Sequence, residues 1–377
     1  MTGMGFDFGR LRRFPDVEAA NLFAVDATDR LLLDTAASSL AAAGPGRVVV
    51  IGDRYGALTL GAAALHGLIG LRVHQDPLSG ELALADNAER LGLTGRYRNL
   101  ALDSELFDGA AVVLIQAPKS LDALRETTQL IARHADPGVT VYLGARVKHL
   151  SLTMNKVLRA SFTDVRAGLA RQKSRVITAR DPRADTIALS FPRREYLDEA
   201  GLWVCAHGGA FAGATLDLGS RQLLTVLDRM APGASTAIDL GCGTGILAAA
   251  LARARPDLQV VATDESAAAV ASAHATMQAN DLADRVSVRR ADALGGFADA
   301  SADLIVCNPP FHVGTAVTPA VAHKLFRAAG RVLRPGGQLW TVYNSHLDHR
   351  RDLERSVGST RQAHRDPKFT VTVSVRR

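Results

Sequence analysis

Cysteine is nearly absent from the chain. Cys205, Cys242 and Cys307 are the three in 377 residues, scattered and odd in number. With neither CxxC spacing nor a neighbouring histidine ladder, they argue against a disulfide framework and against zinc, and they suit a reducing cytosol. Long apolar runs are missing too. No stretch of 18 apolar residues occurs, and Asp7 and Arg10 stand where a signal peptide would carry its apolar core, so a soluble, cytoplasmic protein with no membrane partner is expected. With 47% apolar and 22% charged residues, the composition is that of a globular protein and excludes a wholly disordered chain. At about 150 residues per domain, the length suggests two or three domains.

The formal charge of +6 is unevenly spread. Residues Ala145 to Arg194 hold 12 basic and 3 acidic side chains, more than the whole excess. One reading is a solvated basic face; the other is a surface that contacts phosphates, because clustered Lys and Arg release counterions from nucleic acid. Lys173, Arg175 and Arg180 are the candidates for such contacts. Charge alone does not choose between the two readings.

Strand and helix patterns alternate along the chain, and they do so twice. Apolar strand candidates centre on Ile238, Val261, Val288, Ile305 and Trp340, separated by helical stretches such as Ile246 to Arg255 and Ala267 to Gln278. This is the rhythm of a doubly wound α/β sheet. Similar candidates centre on Val49, Val73, Val113 and Val141, roughly 190 to 200 positions earlier, an offset too long for a solenoid. Two copies of one fold are expected, residues 1–194 and 195–377, with the seam near Pro192 to Glu195 and a helical run at Leu216 to Arg229 leading into the second copy.

The second copy carries the chemistry. Thr236 to Leu240 reads as a strand with Asp239 near its end, and Gly241, Gly243 and Gly245 make a turn that opens a helix and brings backbone close to a ligand. A dinucleotide fingerprint starting at Gly241 would require glycine where Ile246 stands, which argues against a nicotinamide cofactor. Asp264 ends the next strand, spaced to accept from ribose hydroxyls, and Asp292 follows a third. Either acid alone could be a helix cap; their order and spacing favour a ligand.

Asn308, Pro309, Pro310 and Phe311 directly follow the strand Asp303 to Cys307, at the end of the sheet where ligands bind. An exocyclic base amine is a poor nucleophile, because its lone pair is delocalised into the ring. The Asn308 side-chain oxygen and the Pro309 carbonyl can accept its two N–H bonds and aim the lone pair, proline stiffening the turn. Phe311 offers a face for base stacking, worth about 1 to 3 kcal/mol in single-stranded sites.

The run DxGxGxG from Asp239 to Gly245 together with Asn308 to Phe311 resembles the class I S-adenosylmethionine-dependent amino methyltransferases. With His312 after Phe311, AFAG at Ala210 to Gly213, LDLGSRQLL at Leu216 to Leu224, DPKFTV at Asp366 to Val371, APKS at Ala117 to Ser120 and QKSR at Gln172 to Arg175, the chain resembles over nearly its full length the tandem-domain bacterial ribosomal RNA guanine-N2 methyltransferases. Residues Gly144 to Leu158 are more similar to the large-subunit enzymes. Ala212 stands where the family more often has serine. The resemblance implies two tandem Rossmann-like methyltransferase domains, S-adenosyl-L-methionine as cofactor, ribosomal RNA as partner and guanine N2 as acceptor. It further implies that Asp239 lies near the amino-acid end of the cofactor and Asp292 near its adenine.

The first copy reads as degenerate. Aligning Val49 to Gly56 with Ile238 to Gly245 puts Val50 at the place of Asp239 and Arg54 at that of Gly243. Ala117, Pro118 and Lys119 align with Asn308, Pro309 and Pro310, so the amide is expected to be absent there. A role in positioning RNA is what remains. Cys242 and Cys307 flank the site without a paired histidine, which speaks against a thiol nucleophile, and Trp203 and Trp340 read as core or interface. Two other functions stay open: an amino methyltransferase of another base, or of a protein amide or a small molecule, the last two having no use for the basic segment, and an RNA-binding assembly factor without turnover.

Overall fold

Val48, Val49, Val50 and Ile51 form β1 (Val48–Ile51), buried along its whole length as an interior parallel strand must be. Its side chains alternate between two separate cores, Val48 and Val50 in one, Val49 and Ile51 in the other. Around it lie β2 (Leu71–His74), β3 (Tyr97–Asn99), β4 (Val112–Gln116), β5 (Thr140–Arg146), β6 (Phe162–Ala167) and β7 (Ser174–Pro182), in the order β3-β2-β1-β4-β5-β7-β6. The first five strands are parallel; β7 runs antiparallel to both β5 and β6. Helices α1 (Ala27–Ala42), α2 (Ala57–His66), α3 (Leu78–Leu91), α4 (Ser104–Phe107), α5 (Leu121–His134) and α6 (Leu152–Ser161) complete the unit.

A hairpin of β8 (Arg193–Leu197) and β9 (Leu202–Ala206) opens the second unit. Its main sheet contains β10 (Thr236–Leu240), β11 (Gln259–Asp264), β12 (Val286–Arg290), β13 (Ala302–Cys307), β14 (Leu333–Asn344), β15 (Gly358–Arg365) and β16 (Phe369–Arg376). The order, β12-β11-β10-β13-β14-β16-β15, is the permutation of the first sheet, and again one strand, β16, runs antiparallel to both its neighbours. Helices α7 (Leu218–Leu224), α8 (Ile246–Ala254), α9 (Ala267–Ala279), α10 (Thr318–Val332) and α11 (Arg350–Ser356) belong to this unit.

This computed structural model describes residues 6–16, 18–309, 318–347 and 349–377. The chain divides into Met1–Phe191 and Pro192–Arg377, and no described helix is long and apolar enough to cross a membrane. The α/β fold is thus present twice, with a parallel sheet finished by an antiparallel pair. The helical run before the second sheet is shorter than Leu216 to Arg229 suggests, since α7 ends at Leu224 and only a 3-10 turn, Leu227–Arg229, follows. Trp340 is a core residue, 1% exposed. Trp203 is not: it lies on the outer face of the β8–β9 hairpin, 39% exposed, beside Tyr196 and under the Arg194 guanidinium.

Candidate active site

The turn after β10 is held by main-chain bonds. Gly241 N–H and Cys242 N–H both donate to the Thr263 carbonyl, at 2.9 and 3.0 Å, and Gly241, Gly243 and Gly245 take the left-handed conformation at φ 75°, 53° and 81°. The three glycines serve different ends. A Cβ on Gly245 would lie 2.8 Å from Met277 Cε and 3.1 Å from Ala273 Cβ, so its bareness lets α9 pack against the start of α8. Among the described residues, a Cβ on Gly241 or Gly243 would meet nothing within 4 Å. Those two glycines leave open space beside bare backbone, as close approach of a ligand requires.

Asp239 lies beneath this turn, 1% exposed. Its Oδ2 accepts from Ala248 N–H in the first turn of α8 at 3.0 Å, while buried Oδ1 has no donor among the described residues. Burial, reinforced by the negative charges of Asp264 and Asp217 and only partly offset by the Ala248 N–H, pushes its carboxyl up to about 7. Asp264, at the end of β11, accepts from Gly243 N–H on Oδ2 at 3.0 Å and from Ser266 N–H on Oδ1 at 2.9 Å. The cap of α9 is Ser266 rather than Asp264. Asp264 therefore fixes the middle glycine of the turn.

Asp292 is no helix cap either, because turns rather than a helix follow it. Its carboxylate is occupied: Lys324 Nζ from α10 donates to both oxygens, to Oδ1 at 2.6 Å. Any contact of that carboxylate with a base would be shared with Lys324, a partner that nothing in the sequence pattern marks.

Asn308 directly follows β13, the strand adjacent to β10, and the register pairs Leu240 with Cys307. The glycine turn and the Asn308 turn therefore leave neighbouring strands at one level. Asn308 Nδ2 donates to Asp217 Oδ1 at 2.8 Å and to Ser220 Oγ at 3.2 Å. Asp217 is also the N-cap of α7, accepting from Gly219 N–H and Ser220 N–H. The run Asp-Leu-Gly-Ser at 217–220 has the capping signature, yet its contact with Asn308, 88 to 91 residues away, is not readable from spacing. Pro309 is buried; Pro310, Phe311 and His312 lie outside the described residues. Cys242 and Cys307 are buried, and loss of solvation together with Asp239 and Asp264 raises both thiols well above their ordinary range. A buried thiol held in the neutral form is a poor nucleophile, which speaks against thiolate chemistry here.

The first unit keeps the path of the turn and changes its side chains. Gly52, Arg54 and Gly56 repeat the left-handed conformation at φ 74°, 59° and 94°. Strand register puts Val50 at the place of Asp239 and Gln75 at that of Asp264. It also corrects the alignment at the second turn: Ile115 pairs with Ile51 as Cys307 pairs with Leu240, so Gln116, not Ala117, is the counterpart of Asn308. An amide is present there, and Gln116 Nε2 donates to Asp29 of α1. The reason for the slip is that a residue-by-residue match of the two turns ignores where the strand ends. What the first unit lacks is the strand acid, the ribose-type acid and the open middle glycine.

The basic segment falls on α6, β6 and β7. Lys173 is exposed at the β6–β7 hairpin tip, where Gln172 and Lys173 sit at φ 47° and 62° and Arg171 and Ser174 exchange both backbone bonds at 2.8 Å. Arg175 is half-buried, and Arg180 is exposed at the far end of β7, opposite Asp164. Five residues apart on one strand, Arg175 and Arg180 point to opposite faces. The structure brings Lys173 and Arg171 together and sets Arg180 apart.

Residues 4–183 match the family described as the RLMG N-terminal domain, and residues 201–373 match the methyltransferase small domain. Among curated proteins, the ribosomal RNA large subunit methyltransferase G of Streptomyces coelicolor is 37% identical over 374 residues, 97% of each chain. That of Pseudomonas entomophila is 34% identical over 362 residues, 96% of each. Among solved structures, the T. thermophilus 16S rRNA guanine-N2 methyltransferase RsmC, in complex with AdoMet and guanosine, superimposes with a TM-score of 0.75 at 25% identity, covering 93% of this chain and 92% of that one. By sequence over both units and by fold, the chain belongs to the tandem-domain bacterial ribosomal RNA guanine-N2 methyltransferases.

Proposed function

We propose that the Pro192–Arg377 unit transfers a methyl group from S-adenosylmethionine to the N2 amine of a guanine in large-subunit ribosomal RNA, and that the Met1–Phe191 unit contributes RNA contacts. The observation that carries this reading is the juxtaposition of the acid–glycine turn and Asn308 on adjacent strand ends at one level. The residues present fit the cofactor. Among the described residues nothing donates to buried Asp239 Oδ1, and Gly241 and Gly243 leave room against bare backbone. Asp239 and Asp264 give the crevice a negative field that suits a ligand carrying an ammonium and a sulfonium group. When bound, S-adenosylmethionine supplies an electrophilic methyl group.

Asp239 would take the ammonium end and Asp264 the ribose hydroxyls. Asp292, shared with Lys324, would border the adenine, Gly245 would hold the turn in shape, and Pro310 and Phe311 would complete the base pocket. Asn308 Oδ1 and the Pro309 carbonyl would accept the two N–H bonds of the guanine amine and direct its lone pair. No strong base is required, because the alkylated nitrogen sheds its proton to water readily. Alignment is the work of these residues, and it is the kind of contribution that proximity and orientation make. A guanine must be unpaired or flipped to reach Asn308. Lys173 at the hairpin tip, with Arg175 and Arg180 further along β7, would contact phosphates.

The test is methyl transfer to protein-free ribosomal RNA from a strain lacking the gene, read by mass spectrometry of nucleosides. N2-methylguanosine is expected, and Asn308→Ala should lower turnover by about 100-fold or more with S-adenosylmethionine affinity unchanged. Wild-type turnover in Asn308→Ala, or methyl on another base, would overturn the assignment.

A further inference from the structure

Asn308 can align an amine only if its oxygen, and not its nitrogen, faces the substrate. A primary amide is nearly symmetric in shape, so something must choose between two orientations that differ by a half-turn about the last side-chain bond. We infer that Asp217 and Ser220, at the start of α7, are positioning residues that lock the Asn308 amide with its oxygen toward the acceptor amine, and that Gly219 is bare to let them do so. The inference rests on the reading of Asn308 given above and adds to it the device that sets its polarity.

Three observations carry it. First, an ionised carboxylate accepts hydrogen bonds and donates none. Asp217 Oδ1 lies 2.8 Å from Asn308 Nδ2, and the reversed amide would set oxygen against oxygen at that distance. Only the N–H side can face Asp217. Second, Ser220 Oγ stands 3.2 Å from the same nitrogen, so both amide hydrogens have acceptors at the start of α7, and no described residue donates to Asn308 Oδ1. The nitrogen is consumed by the protein and the oxygen is left for the ligand side. Third, the fit is tight: a Cβ on Gly219 would lie 2.7 Å from Asn308 Oδ1 and 3.0 Å from Nδ2. Gly219 has no left-handed backbone that would call for glycine, so closeness to Asn308 is the reason in the structure for its missing side chain.

Asp217 has a second task, as the N-cap of α7, and the test must separate the two. Asparagine caps helices as well as aspartate does. Asp217→Asn therefore keeps the cap while removing the charge that forbids the reversed amide, since the substituted side chain could donate to Asn308 as well as accept from it. A residue acting only as a cap would be silent to this change. Gly219→Ala displaces the Asn308 amide directly, and Ser220→Ala removes one acceptor without touching the cap of α7.

Full-length variants would be assayed with S-adenosylmethionine and protein-free ribosomal RNA from the strain lacking the gene. Asp217→Asn and Gly219→Ala should each lower kcat about tenfold or more, Ser220→Ala several-fold, with KM for S-adenosylmethionine within about twofold of wild type and, for Asp217→Asn, an unchanged Tm. Combining Asp217→Asn with Asn308→Ala should cost no more than Asn308→Ala alone, because both act through one amide. If Asn308→Ala is inactive while Asp217→Asn and Gly219→Ala turn over at the wild-type rate, the positioning role is overturned and the reading of Asn308 stands. If Asn308→Ala itself retains wild-type turnover, both fall.

Discussion

Asp239 should make cofactor binding release a proton at low pH and none at high pH. In the free protein its carboxyl sits at about 7 because it is buried among other acids with one oxygen unpaired. An ammonium group brought to that oxygen would return it to the ordinary range near 4. Between pH 7 and pH 5 the free site is mostly protonated and the occupied one is not, so binding releases close to one proton at pH 5 and almost none at pH 8. The Kd for S-adenosylmethionine should then rise about tenfold per pH unit below 7, roughly 100-fold at pH 5, equivalent to about 2.7 kcal/mol. An α-amino group stays charged up to about 7.7, so affinity should be greatest just above pH 7. Isothermal titration in two buffers of different ionisation enthalpy counts the protons directly. Asp239→Asn should bind weakly and with no pH slope over this range. A wild-type Kd that is flat from pH 5 to 7, or an equal slope in the variant, would refute the reasoning. Stability carries the opposite face of the same shift. Because the folded pKa is raised, the folded chain keeps a proton that the unfolded chain loses, and stability falls as pH climbs from about 4 through 7. The cofactor-free Asp239→Asn protein should therefore be more stable than wild type at pH 8, by at most about 4 kcal/mol, with the gap closing toward pH 4.

Gly243→Arg, which imports the residue at the equivalent place in the first unit, should fold, since Arg54 adopts the same backbone at φ 59°, but should not bind S-adenosylmethionine; the wild-type protein should titrate with one equivalent per chain, and two would assign a working site to Met1–Phe191. Replacing Lys173, Arg175 and Arg180 together with Glu should weaken RNA binding and flatten its salt dependence by about 0.7 to 0.9 per lost phosphate contact. The single change at Lys173 should account for more of that loss than Arg180 does, because the hairpin tip gathers cations and the far end of β7 sets Arg180 opposite an acid; an unchanged salt slope would mark a solvated face. Gly330→Ala, far from the chemistry, would put a Cβ 2.0 Å from the Ser356 carbonyl and should lower stability by about 1 to 3 kcal/mol or more in chemical denaturation, with kcat unaffected at temperatures where the protein is folded.

Most strands are legible from their apolar residues, continuous in β1 and β4 and broken by polar residues in β2 and β12: Val49, Val73, Val113 and Val141 in one sheet and Ile238, Val261, Val288, Ile305 and Trp340 in the other all lie on strands. The short β3 and the partly polar β6 and β15 carry no such run, and the antiparallel return of β7 and β16 depends on pairing that no local pattern encodes. The acid–glycine turn is readable because its backbone needs glycines at fixed places. What side chains do across the fold is not readable. The contact of Asp217 with Asn308, the hold of Lys324 on Asp292, and the equivalence of Gln116 with Asn308 all depend on where strands end in space. The one glycine pattern likewise conceals two different surroundings, tight packing at Gly245 and open space at Gly241 and Gly243.

The turn shared in conformation but not in side chains, Gly52 to Gly56 against Gly241 to Gly245, bears on what the first unit would need in order to hold a cofactor. An acid is present there too: Asp53, one position beyond the turn's first glycine, is buried and accepts from Leu58 N–H and Thr59 N–H with its two oxygens. Thr59 stands where Ala248, the partner of Asp239, stands in the other half. A carboxylate thus still seals the first turn of the following helix, but reaches it from the loop instead of the strand, and both its oxygens are spent on the backbone. On the proposed reading, a carboxyl group with one oxygen left over can take a ligand, whereas one with both oxygens engaged by backbone only seals the helix end. Restoring a cofactor site in Met1–Phe191 would therefore take more than placing an acid at position 50 and a glycine at position 54. Asp53 would have to be removed as well, or two acids would compete for one helix end.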